Sequence, residues 1–364
     1  MKIIFYLGHP AHYHLFKYPI KFLKEKNHDI IILIKKKDIL EELLKNDGLN
    51  YINILHKGRR DGKIGITWGL LKRELVLIKI AKKFRPHIMV GTSSEITHIG
   101  KLLNINSLVV NEDDFDVVPL FSKLTYPFAD CILAPTSCQI GKWNYKSISY
   151  NGYHELTYLH MKYFIPDNQI IKTFNHKLKR YFILRFAKLT AHHDAGKTGI
   201  TTEVAEKIVK ILEPYGKIYI TSERVLEPQF EKYRININPL DIHHALYYAD
   251  LYIGDSQTMA AEAAVLGTPS IRFNDFVGKI GYLEELEHKY ELTFGIKTSE
   301  PQRLFDKIDE LIKTPGLKEE WQKRRQKMLS EKIDVTAFMV WFIENYPKSV
   351  KIMKENPNYQ YQFK

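Results

Sequence analysis

The sequence predicts an α/β protein of two Rossmann-like domains with parallel sheets. Short apolar runs alternate with helical patterns along the whole chain, which is how βαβ units read. The run from Asp29 to Ile34 is nearly continuous in Ile and Leu, as in a strand covered on both faces. The length of 364 residues fits two domains of about 100–200 residues each.

In the first half, Lys2 to Leu7 is an apolar strand. Phe16, Ile20 and Leu23 recur at helical spacing, so His14 to Lys26 is a helix. Asp29 to Ile34 is the next strand, Asp38 to Lys45 a helix and Tyr51 to Leu55 a strand. Ile66 to Phe84 is a long amphipathic helix that stops before Pro86. His87 to Val90, Ser107 to Val110 and Cys131 to Ala134 are further strands.

The second half repeats the logic. Tyr181 to Phe186, Lys217 to Thr221, Ile235 to Ile237, Leu251 to Ile253 and Ser270 to Phe273 are strands. Thr201 to Leu212, Asp241 to Tyr248, the segment carrying Glu262, Pro301 to Lys313 and Lys318 to Leu329 are helices, and Val335 to Tyr346 is apolar and aromatic. The boundary falls near Tyr153 to Asp167. It gives a first domain over 1–160, completed by 345–364, and a second over 168–340. Ligands of open α/β sheets sit at the carboxyl ends of the strands, so two such sheets are expected to face a central cleft.

Composition narrows the classes. Hydrophobic content of 45% and charge of 26% are those of an ordinary globular chain. No apolar run reaches the ~18–20 residues that span a bilayer. Gly8, His9 and Pro10 cut the opening run too short for a signal segment. Two cysteines, Cys131 and Cys138, lack metal or redox spacing and fit a reducing compartment, hence a cytoplasmic expectation. The net charge of +12 is uneven: residues 1–85 hold 19 Lys/Arg against 8 Asp/Glu. That asymmetry favours an anionic partner, with membrane association at the cytoplasmic face one form of it; a lysine-rich solvated surface reads the same way. No basic–aromatic motif of a nucleic-acid module appears, so no nucleic-acid partner is expected.

The most informative stretch runs from Tyr248 to Ser270: a buried strand, the turn Asp255-Ser256-Gln257-Thr258, then a helix bearing Glu262 in apolar company. A helix N-terminus entered through small residues presents free N–H groups and positive potential, which suits a diphosphate. Glu262 stands where it can accept hydrogen bonds from a ribose diol; a plain strand-turn-helix is the alternative.

His12 follows the first strand, where a cleft-facing imidazole can take a proton from a hydroxyl. His9 and His14 flank it on the acceptor side, or cap and pack the loop. Glu95, Glu112, Asp113 and Asp114 follow other strands of the first half, and one of these carboxylates is the alternative catalytic base. Thr190-Ala191-His192-His193-Asp194 follows the first strand of the second half. No further ligand has metal spacing, so His192 and His193 are read as phosphate or sugar contacts, without metal or cofactor. The helix Trp68 to Phe84, with Arg59-Arg60 before it, reads as a membrane-facing basic helix or as a Rossmann helix with one buried face.

Gly8-His9-Pro10-Ala11-His12-Tyr13-His14-Leu15-Phe16-Lys17, Tyr150-Asn151-Gly152-Tyr153-His154-Glu155-Leu156-Thr157-Tyr158-Leu159 and Tyr247-Tyr248-Ala249-Asp250 with Glu262-Ala263-Ala264 and Gly267-Thr268-Pro269 resemble the family called domain of unknown function 354. That family is similar to GT-B glycosyltransferases and UDP-N-acetylglucosamine 2-epimerases. The resemblance implies a GT-B-like fold and a nucleotide-sugar site in which Ser256, Gln257 and Thr258 hold the diphosphate and Glu262 the ribose. Relatives often carry two glycines where Gln257 and Thr258 stand. It further implies cationic diphosphate partners at Arg185 and Lys188, and Arg224 beside the base. The leading expectation is a metal-independent transferase acting from a nucleotide sugar, UDP-linked, onto a surface-glycan or lipid-linked acceptor. A UDP-sugar 2-epimerase and a non-catalytic nucleotide- or glycan-binding protein are the alternatives.

Overall fold

The computed structural model describes residues 1–35, 37, 39–55, 63–177, 179–187 and 199–364, and only the backbone of 63–68. The chain divides into two compact units, Met1–Tyr163 with Ile333–Lys364, and Phe164–Lys332.

The first unit holds β1 (Lys2–Leu7), β2 (Asp29–Lys35), β3 (Ile52–Leu55), β4 (Ile88–Gly91), β5 (Asn106–Val110), β6 (Cys131–Pro135) and β7 (Ser147–Tyr150). They form one sheet ordered β3-β2-β1-β4-β5-β6-β7, parallel throughout. Ile3 to Leu7 are fully buried, which is why β1 has no polar alternation. One side of the sheet packs Ile4, Tyr6, Leu33 and Met89 against Leu77, Ala81, Ile96 and Ile99 of the covering helices. Gly91 ends β4 because a Cβ there would lie 2.6 Å from the Tyr6 carbonyl oxygen. The order reverses between β1 and β4, so the loops after those two strands flank the switch point where such sheets bind ligands.

The second unit holds β8 (Tyr181–Phe186), β9 (Lys217–Ser222), β10 (Leu251–Gly254), β11 (Ser270–Phe273) and β12 (Thr293–Ile296), ordered β12-β11-β10-β8-β9 and again parallel. Its switch point lies between β8 and β10. The segments after those strands carry Ala187 on one side and Asp255 to Thr258 on the other.

Several elements differ from expectation. The expected strand Ile235 to Ile237 is absent: one bridge joins Ile220 to Arg234, and Pro239 ends the run before a ladder can build. The first helix begins at Pro10 rather than His14, because proline suits the first helical turn and the His9 side chain caps it by accepting from the Ala11 amide. β7, β12 and the helices Ser94–Leu103, Pro119–Thr125 and Gly281–His288 add to the expected set. Gly295 weakens the strand signal of β12, yet a Cβ there would meet Glu287 Oε2 at 2.8 Å and Arg272 Nη2 at 3.0 Å.

The chain returns to the first unit at Ile333, whose amide donates to the Asn151 carbonyl. Asp334 then caps helix Val335–Glu344, accepting from the Ala337 amide, and also accepts from Lys162 at 3.1 Å and the Tyr163 hydroxyl at 2.8 Å. No helix among the described residues is long and apolar enough to cross a membrane.

Candidate functional site

In the second unit, β10 ends in Gly254 and the chain turns through Asp255 into helix Gln257–Leu266. Ser256 is the N-cap, its hydroxyl accepting from the Met259 amide at 3.4 Å. The amides of Gln257 and Thr258 precede the first intrahelical bond, from Ala260 to Ser256, and both side chains are partly exposed. An anion placed there meets amide donors left free among the described residues, and the positive end of the helix.

Glu262 lies one turn further in and is buried. Its Oε1 stands 2.9 Å from Nε2 of His243, on helix Ile242–Tyr248, and that imidazole is buried too. The sequence placed His243 only within the helix Asp241 to Tyr248. The pairing shows what holds the carboxylate of Glu262 in place.

Asp255 is a further residue that sequence reasoning left without a role. Its carboxylate accepts from the Ala187 amide at 2.6 Å and the Ile200 amide at 3.1 Å, so it ties both described ends of the segment after β8 to the end of β10. Burial raises its pKa to about 6; the two amides and Arg224 act in the opposite direction. Gly199 is required beside it, since a Cβ there would lie 2.4 Å from Asp255 Oδ2. Lys188, His192, His193 and Asp194 lie outside the described residues.

Arg185 at the end of β8 donates to Glu223, and its buried Nε has no hydrogen-bond partner among the described residues. Arg224 lies over the Phe186 ring at 5.1 Å and donates to the Ile200 carbonyl at 3.0 Å. It therefore stacks on a protein ring in this structure.

In the first unit, His12 sits in the first turn of helix Pro10–Glu25 rather than in a loop. Its Nδ1 accepts from the Gly8 amide at 3.0 Å. The proton of the neutral ring is therefore on Nε2, which makes that nitrogen a donor. Burial holds its pKa well below the usual imidazole range, reinforced by His9, Lys35, His154 and Lys37. His9 serves as the helix cap, and His14 is buried against the Tyr158 ring with centroids 5.2 Å apart.

Glu95 opens the helix after β4. It accepts from Arg73, from Ser93 at 2.7 Å and from Tyr6 at 3.2 Å. Burial raises its pKa, but Arg73, Lys35 and Ser93 outweigh that, so it titrates below its usual range. After β5, Glu112 Oε2 accepts from the His154 amide at 3.2 Å and stands 3.3 Å from His154 Nδ1. His154 Nε2 is buried without a hydrogen-bond partner among the described residues, and burial lowers the ring's pKa to about 3. Asp113 is partly exposed, whereas Asp114 is buried and accepts from the Gln139 amide at 2.6 Å. The sequence reading left Lys35 and His154 without a role and took Arg73 only as part of the basic helix Trp68 to Phe84. Among the described residues, no group of three or more His, Cys, Asp or Glu side chains could hold a metal ion.

The model of the family described as "Protein of unknown function (DUF354)" matches residues 1–348. No curated protein matches the sequence. Among solved structures, the chain is similar to a Listeria monocytogenes protein assigned as a UDP-N-acetylglucosamine 2-epimerase, with a TM-score of 0.68 and 14% identity over 97% of this chain and 96% of that one. It is similar to the UDP-GlcNAc 2-epimerase of Neisseria meningitidis bound to UDP-GlcNAc, with a TM-score of 0.63 and 15% identity over 98% and 100%. It is also similar to the spinosyn rhamnosyltransferase SpnG complexed with thymidine diphosphate, with a TM-score of 0.63 and 14% identity over 94% and 100%. At these identities the likeness establishes the fold, that of GT-B glycosyltransferases and 2-epimerases.

Proposed function

The chain belongs to the DUF354 family, and from that premise we propose that it is a metal-independent glycosyltransferase. It moves a sugar from a nucleotide sugar, UDP-linked, to a surface-glycan or lipid-linked acceptor. The observation that carries this reading is the buried Glu262–His243 pair one turn behind the open N-terminus of helix Gln257–Leu266. An anion site and a held carboxylate at that spacing suit a nucleoside diphosphate: phosphates at Ser256, Gln257 and Thr258, ribose hydroxyls at Glu262.

In this reading the acceptor hydroxyl loses its proton as its oxygen attacks the anomeric carbon. The bond from that carbon to the diphosphate breaks, and the nucleoside diphosphate leaves with the electron pair. Free helix amides and Arg185 neutralise the leaving charge. His12 acts as a hydrogen-bond donor through Nε2, since its Nδ1 is already engaged by Gly8. The proton goes to the acidic loop after β5, at Glu112 or Asp113, because Glu95 is held ionised by Arg73, Ser93 and Tyr6. His9 and His14 form the acceptor-side frame by capping and packing the helix that carries His12.

A 2-epimerase is the second reading. It is favoured by the likeness to two such structures and by the carboxylates after β4 and β5, which suit proton removal and return at a sugar carbon. Incubation with UDP-N-acetylglucosamine, followed by proton NMR, separates the two. Release of UDP only when a lipid or glycan extract is added supports transfer. A new epimer without any acceptor refutes transfer and supports epimerisation.

A further inference from the structure

The outer helices of the first unit carry apolar side chains into solvent. Leu71 and Leu75 on helix Lys63–Phe84, Leu102 on helix Ser94–Leu103, and Leu120, Leu124 and Phe128 on and after helix Pro119–Thr125 are all exposed, Leu102 by 66% and Leu75 by 61%.

Leu102, Leu124 and Phe128 belong to one face. His98 joins all three helices: Nδ1 stands 2.6 Å from Glu74 Oε1, Nε2 stands 2.7 Å from the Leu124 carbonyl oxygen, and the ring packs edge-on against Phe128 at 4.8 Å. Glu74 lies three residues after Leu71 on its helix, so Leu71 borders the same junction. His98, Lys101, Leu102, Leu124 and Phe128 line a shallow depression at the centre. Single exposed leucines are ordinary, but a joined patch of them marks a docking surface.

Charge identifies the occupant. Each of the three helices adds an exposed lysine: Lys72, Lys101 and Lys123. The carboxylate of Glu74 is engaged by His98. A second copy of the chain would set one basic rim against another. An anionic lipid surface offers acyl chains for the leucines and phosphates for the lysines.

We infer that this three-helix face docks the protein onto an anionic membrane surface, with Leu102, Leu124 and Phe128 at the headgroup boundary and Lys72, Lys101 and Lys123 among the phosphates. The inference does not depend on the proposed reaction.

The test is co-sedimentation of the full chain with vesicles of phosphatidylcholine alone or mixed with phosphatidylglycerol. Two variants accompany it, Leu102→Gln/Leu124→Gln/Phe128→Gln and Lys72→Gln/Lys101→Gln/Lys123→Gln. All six positions are exposed, and thermal unfolding serves as the check that the variants fold. The expected result is binding to the mixed vesicles that weakens with salt, is lost in the apolar variant and falls about fivefold for each lysine neutralised. No enrichment on mixed vesicles, or variants that bind as the parent does, would overturn the inference. So would a dimer in sedimentation equilibrium that the apolar substitutions dissolve, since the face would then join two copies.

Discussion

His243 Nε2 stands 2.9 Å from Glu262 Oε1, and both side chains are buried. The two residues come from helices on either side of β10, so the contact fixes one helix against the other as well as orienting a carboxylate. A buried carboxylate that loses a hydrogen-bonded neighbour bears more of its desolvation cost. His243→Ala should therefore lower stability by about 3 kcal/mol in urea denaturation, with His243→Gln recovering part of it through its amide donor. An unchanged midpoint for His243→Ala would show that the pair contributes little.

Asp255 predicts a pH effect of defined sign. Its folded-state pKa of about 6 lies above the ordinary 3.8, so the folded chain binds this proton more tightly than the unfolded one. Stability from this group is therefore full at acidic pH and declines as pH rises from about 4 to 6. Asp255→Asn removes the slope. Urea midpoints measured across that range should show the parent losing ground to the variant as pH rises, and parallel curves would contradict the prediction.

His154 acts in the opposite sense. Burial holds it near 3, against 6.5 for a free imidazole. The unfolded chain takes up this proton first, so stability is lost as pH falls from about 6.5 towards 3. His154→Leu should flatten that acid limb in the same denaturation series; a limb of equal steepness would place its origin elsewhere.

Glu95 is buried and depends on Arg73, Ser93 and Tyr6. Arg73→Met should cost about 3 kcal/mol by removing the main counter-charge of a buried carboxylate. Adding Glu95→Gln should restore most of it, because the neutral amide needs no counter-charge. A double variant no more stable than the single one would refute the coupling.

Much of this was legible in the sequence. Continuous apolar runs such as Ile3 to Leu7 identified buried parallel strands, and small residues before the Glu262 helix marked its open N-terminus. Local pattern could not supply partners distant in the chain. Glu95 meets Arg73 across 22 residues and Asp255 meets Ala187 across 68, contacts that exist only once the strands are ordered. β12 was hidden by Gly295, whose lack of a side chain answers to Arg272 and Glu287 rather than to strand propensity. The run Ile235 to Ile237 misled in the other direction, as apolar alternation without neighbours to pair with. His12 was read as following β1, but its tautomer depends on the Gly8 amide, which only the folded turn brings to Nδ1.

The proposed nucleotide site is built on helix Gln257–Leu266. Its most direct test is calorimetric titration of the protein with UDP, GDP, ADP and CMP, beside Glu262→Ala and the milder Glu262→Gln. The predicted result is selective binding of UDP, lost in Glu262→Ala and weakened in Glu262→Gln. Binding of none of the four, or equal binding of UDP by the parent and both variants, would contradict it.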